Sequence, residues 1–164
     1  MASESDLKRA KAGDKNLSDA DLSDADLSGA NLSNASLDRA DLSGANFSGA
    51  NLSNASLLRA ELSGANLSGA NLRGSNLVDA NLRRADLSRA DLSDTWLQNA
   101  DLIRANFSDA NLSDAWLHGA NLINANLIRA NLINANLIRA EVSGANFSDA
   151  DLRGATMPDG SINP

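Results

Sequence analysis

A five-residue period runs without a gap through almost the whole chain and limits what it can fold into. Read from Lys15, blocks such as Ala20-Asp21-Leu22-Ser23-Asp24 follow one another through the block that starts at Ala155. Ala opens every block from residue 20 onward except at Ser75 and Thr95. The third place holds Leu except at Phe47, Phe107, Val142, Phe147 and Met157, and the remaining places carry mainly Asn, Asp, Ser, Gly and Arg. An α-helix turns about 100° per residue, so a step of five would spread the leucines around every side. Extended chain instead puts the first and third residues on one face and the second and fourth on the other, with Ala and Leu inside and polar groups outside. Because five is odd, this alternation fails at every block boundary unless the chain turns there. The Gly, Asn, Asp and Arg in fifth place suit such a turn. Each block is therefore one side of a coil.

The rare residues set the number of sides. Trp96 and Trp116 are 20 residues apart, and Phe47, Phe107 and Phe147 are separated by 60 and 40, so four blocks complete one turn and the aromatic residues stack. The expected fold is all-β, a four-sided β-helix of about seven coils and, at about 4.8 Å per coil, about 34 Å long. Each coil buries its apolar face only against the next, and the rod ends need covers. Residues 1–14 read as an N-terminal cap. Ser3 and Asp6 have capping-box spacing, acidic Glu4 and Asp6 lead, basic Lys8, Arg9 and Lys11 trail, and Gly13 can end a helix spanning 3–12. The repeat occupies 15–159, where Pro158 cannot donate to a further strand, and 160–164 form a tail.

These blocks, Ala followed by Asn or Asp and then Leu or Phe, resemble the pentapeptide repeat family over residues 15–159. The resemblance implies a right-handed quadrilateral β-helix with Leu or Phe and Ala stacked inside. The gap-free blocks and the ending GATMPDGSINP resemble short cyanobacterial members of that family.

Composition narrows the function. A net charge of −7 disfavours direct nucleic acid or anionic membrane binding, and no apolar run approaches the roughly 20 residues of a membrane span. Without cysteine there is no thiol chemistry, and the lone His118 points outward with no second His or Cys to complete a metal site. The acidic residues Asp14, Asp19, Asp21, Asp24 and Asp26 fall on successive corners and read as a solvated end rather than a calcium loop. Threonine, at Thr95 and Thr156 only, is too sparse for an ice-binding array. An apolar ladder inside and flat polar walls outside imply no pocket, so no catalytic residue and no cofactor is expected. The chain is expected to be cytoplasmic and to bind another protein.

Three surface features are candidate contacts. One wall reads Ser56 and Leu58, Asn76 and Val78, Trp96 and Gln98, Trp116 and His118, Asn136 and Ile138. Trp96, Trp116, Leu58, Val78, His118 and Ile138 are the expected partner surface, since two stacked indoles on a rigid wall form a preorganised anchor. Stacked tryptophans can equally extend the ladder without a partner. Ile123, Ile128, Ile133 and Ile138 make an apolar belt with Ile103 beneath Ile123, a candidate contact of a weak homodimer; otherwise the chain is a monomer. Finally, the resemblance brings in family members that imitate duplex DNA and bind type II topoisomerases, for which Asp21, Asp41, Glu61, Asp101 and Glu141 form a 20-spaced acidic column. Against that alternative, Arg39, Arg59 and Arg139 precede Asp41, Glu61 and Glu141 by two residues, as Arg84 and Arg89 precede Asp86 and Asp91. Such spacing places opposite charges across one corner.

Overall fold

A computed structural model describes residues 1–164. The only helix, α1, spans Glu4–Lys11, and the rest of the chain is a coil built from turns and single-residue parallel bridges. No helix is long and apolar enough to cross a membrane.

The block chemistry explains the coil. In second place, the Asn or Asp side chain accepts the backbone N–H two residues on, as from Ser43 to Asp41 and from Ser68 to Asn66, both at 3.0 Å. This closes an Asx turn and explains the preference for those residues. The third-place carbonyl accepts the N–H of the next block's first residue, as from Ala25 to Leu22 at 3.1 Å. Between them the fifth residue takes positive φ, from 55° at Asn54 to 59° at Asp94 among the non-glycines. Asp and Asn tolerate that conformation; the arginines, such as Arg39 at 57°, hold it at a cost of about 1 kcal/mol. With two of five residues used in turning, pairing reduces to one bridged residue per block and no continuous strand forms.

Every bridge within the repeat joins residues 20 apart in parallel. Four columns result, beginning at Asn16, Asp21, Asp26 and Asn31, and the first continues through Trp96 and Trp116 to Thr156. The interior is one continuous core of Leu and Ala, with Phe47 and Phe107 fully buried on the wall of Asn46 and Asn106. Ser75 and Thr95 replace Ala in adjacent coils and are also fully buried. Thr95 donates to the Leu72 carbonyl at 3.2 Å, whereas the Ser75 hydroxyl has no partner.

Helix α1 lies over the first coil. Ser3 is its N-cap, and at the other end Gly13 donates to the Ala10 carbonyl and Asp14 to that of Arg9, a Schellman motif. The expected capping box forms only in part. Ser3 Oγ accepts from Asp6 N–H at 3.5 Å, but the Asp6 carboxylate turns to the rod and accepts the Asp21 N–H at 3.1 Å. That amide has no preceding coil to bond to, so the carboxylate is drawn to the less satisfied donor. Ser3 N–H reciprocally donates to the Asp21 carbonyl, and Arg9 donates to that of Asn16. At the far end the tail folds back after Asp159 and pairs antiparallel, Ile162 against Thr156.

Candidate partner surface

Trp96 and Trp116 are bridged neighbours on one wall, 51% and 49% exposed, and the wall around them carries half-buried Leu58, Val78, Gln98, His118 and Ile138. The expected partner residues thus come together on one face. Their positions follow from the block alone: second-place side chains point outward, and a 20-residue return superposes them. A depression of about 300 Å³ is lined by Trp96, Gln98 and Trp116. A second, of about 330 Å³, runs from Trp116 to the leading corner and includes Asp94, Asp114, Asn134 and Thr156. Sequence reasoning misses the two carboxylates, although their signal is present: each stands two residues before a tryptophan. Asp94 is held by Arg73 at 3.2 Å and Asp114 accepts from Asn134 at 3.2 Å.

The isoleucine belt is assembled as expected around one coil, with Ile103 on the coil before Ile123. All five side chains are half-buried rather than exposed, because each lies beside the second-place residue of its own block and over the coil below.

The acidic column is also assembled, but Asn81 and Asn121 interrupt it: Asp21, Asp41, Glu61, Asn81, Asp101, Asn121, Glu141. The expected charge pairing across corners does not form for Arg39, Arg59, Arg84, Arg89 or Arg139. Fifth-place side chains extend along the rod, so Arg39 pairs with Asp19 at 2.7 Å, Arg129 with Asp109 at 2.7 Å and Arg59 with Asp79 at 3.5 Å, all 20 residues apart. Hydrogen bonds from Arg39 and Arg129 hold the Asp19 and Asp109 carboxyls below the usual carboxylate range. Asp21 is lowered as well, by hydrogen bonds from the Ser23 hydroxyl and N–H. Within the column itself only Asp101 is in an ion pair, with Arg83 at 2.9 Å. Column neutralisation is therefore less complete than the spacing implied, and its middle is broken by Asn81, Arg83, Arg84 and Arg104 instead.

At the acidic end Asp14 bonds Arg9, Asp19 bonds Arg39 and Asp21 bonds Ser23. No group of three or more His, Cys, Asp or Glu is placed to hold a metal ion.

The architecture and the comparisons agree on a class. The model of the pentapeptide repeat family matches in eight copies, with spans at residues 3–39, 16–54, 45–84, 65–102, 85–122 and 117–154. The chain belongs to the pentapeptide repeat family, whose members form right-handed quadrilateral β-helices. It is similar to HetL from the cyanobacterium Nostoc sp. strain PCC 7120, a pentapeptide repeat protein involved in heterocyst differentiation regulation, with 41% identity and a TM-score of 0.52. That match covers 90% of this chain and 76% of HetL. A pentapeptide repeat protein of the Arabidopsis thaliana thylakoid lumen matches at 30% identity and a TM-score of 0.56, over 60% of this chain and 68% of that one. A trypsin-treated variant of QnrB1, a plasmid-mediated fluoroquinolone resistance protein, matches at 26% identity and a TM-score of 0.66, over 87% and 71% of the two chains. No curated protein sequence matches.

Proposed function

We propose that this chain is a non-catalytic, cytoplasmic protein-binding module, a rod of about seven coils whose partner docks on the wall of Trp96 and Trp116. The observation that carries this reading is the bridged pair of half-exposed indoles on a rigid, largely polar surface. Tryptophan offers a large apolar body with little conformational entropy to lose, and the ladder fixes both rings before contact. Leu58, Val78, His118 and Ile138 extend the same face. Pentapeptide repeat proteins are generally scaffold-type and non-catalytic, which supports the binding role. Affinity capture from native extract, run with the wild type and with Trp96→Ser plus Trp116→Ser, tests it. The proteins retained by the wild type are expected to be lost; retention of all of them by the double variant contradicts the reading.

A second reading is favoured by the likeness to QnrB1: an acidic rod that engages a type II topoisomerase through Asp21, Asp41, Glu61, Asp101 and Glu141. The stacked Asp21, Asp41 and Glu61 support it, and the basic break beyond Glu61 weighs against it. A gyrase supercoiling assay separates the two, since inhibition or quinolone protection belongs to the second alone.

Weak self-association through Ile103, Ile123, Ile128 and Ile133 is a further proposal. Light scattering on a gel-filtration column should then show a mass that falls in Ile128→Ser plus Ile133→Ser; a concentration-independent monomer in both proteins contradicts it.

A further inference from the structure

A depression of about 710 Å³ lies away from the tryptophan wall. It is lined by Arg83, Arg84, Arg104, Asn81, Asn124, Ser63, Gly64 and a single apolar side chain, Ile103. Its chemistry differs from that of the paired arginine corners. Arg39, Arg59 and Arg129 occupy the same fifth place in their blocks, and each finds a carboxylate one coil away. Arg84 and Arg104 are also one coil apart, but here arginine follows arginine, and neither has a carboxylate oxygen within the 4.0 Å of an ion pair. Two like charges on coils about 4.8 Å apart repel, and an anion shared between them removes the repulsion.

The surrounding acids are already engaged. Asp101 is bonded to Arg83 at 2.9 Å, Glu61 accepts from Asn81 at 2.7 Å, and Asp86 accepts from Ser88 and Asn106, each at 3.0 Å. Gly64, below Arg84 in the corner, contributes no side chain, so the floor of the depression stays open. What remains without a carboxylate partner is the pair of planar guanidinium groups of Arg84 and Arg104, which line one depression, an arrangement suited to bidentate contacts with phosphoryl oxygens.

The geometry points to an anion site at Arg84 and Arg104 for a small molecule bearing two or three linked phosphates. Neighbouring phosphoryl groups would meet guanidinium groups on successive coils, and a single phosphate would engage only one of them fully. This site is independent of the tryptophan wall and does not require that wall to bind anything.

Isothermal titration with inorganic triphosphate, and with monophosphate for comparison, tests it at low ionic strength. Wild type should bind triphosphate at one saturable site and prefer it to monophosphate by about tenfold. Arg84→Gln plus Arg104→Gln should weaken triphosphate binding at least about tenfold, with Arg84→Lys plus Arg104→Lys between the two. Arg39→Gln plus Arg129→Gln removes the same charge elsewhere and should leave the affinity within about twofold. Circular dichroism checks that each variant keeps its coil; these four arginines are exposed and outside the core. Absence of saturable heat overturns the proposal. So does an equal loss in both glutamine variants, which would mean general attraction to surface arginine, an adventitious ion only.

Discussion

The two ends of the rod solve the same problem differently. At the N-terminal end α1 lays Ala10 and Leu7 against the core, with Ala2 just ahead of the helix beside them, and the leucines of the first coil, Leu17, Leu22, Leu27 and Leu32, are at most 2% exposed. At the C-terminal end Val142, Phe147, Leu152 and Met157 stay partly exposed. The tail covers one side there, through Met157 N–H to Ser161 and Asn163 N–H to Ala155, while the N–H groups of Val142, Phe147 and Leu152 find no backbone acceptor. A lid formed by a helix brings side chains that bury apolar surface; a folded-back strand mainly satisfies backbone groups. The same repeat thus yields a dry end under a helix and a wetter one under a short tail.

This contrast can be broken most severely with phenylalanine. Phe107 and Phe147 occupy the same inner wall, one fully buried mid-rod and one partly exposed in the last coil. Phe107→Ala should cost about 3–5 kcal/mol in urea unfolding, and Phe147→Ala less than half of that. Equal losses would remove the distinction between core and end. Next, Leu7→Ala thins the helical lid and should cost about 1–2 kcal/mol, with faster amide exchange in the first coil but not in the last. Uniform exchange along the rod would mean that α1 is no lid.

A smaller effect has the opposite sign. Ser75 buries a hydroxyl without a partner where most blocks have Ala, so Ser75→Ala should raise stability by about 1 kcal/mol in the same unfolding measurement. The smallest effect concerns acid. Asp19 and Asp109 have folded-state carboxyl values below their ordinary one, because Arg39 and Arg129 bond the charged form. Their contribution is therefore complete above the unfolded-state value of about 4 and is lost as the pH falls through the lower folded value. Both pairs are exposed, so salt should flatten the acid limb, and Asp109→Asn should leave stability at neutral pH almost unchanged.

The features legible in the sequence obey local rules. The turn at every fifth residue, the inward Leu and Ala, the 20-residue return and the stacking of Trp96 on Trp116 all depend on side-chain alternation and turn chemistry. The pairing of the arginines does not. Arg39 is two residues from Asp41 in sequence, yet a left-handed fifth residue aims its side chain along the corner, toward Asp19 in the coil below. Asp6 likewise answers to an unpaired amide of the first coil, a demand that the helix sequence does not display. Asp94 and Asp114 join Trp116 only through the corner geometry, and the unshared charges of Arg84 and Arg104 become apparent only beside the paired corners.

Because the chain has no cysteine, its coil length can be measured by introduced pairs. Ser88→Cys with Ser108→Cys places thiols on adjacent coils of one wall, while Ser88→Cys with Ser113→Cys places them on different walls. Neighbouring rungs about 4.8 Å apart are within disulfide reach. Mild oxidation followed by mass spectrometry should show rapid closure of the first pair and no intramolecular closure of the second. Closure of the second pair with the first left open would contradict the 20-residue return, and with it the placement of both tryptophans on one face.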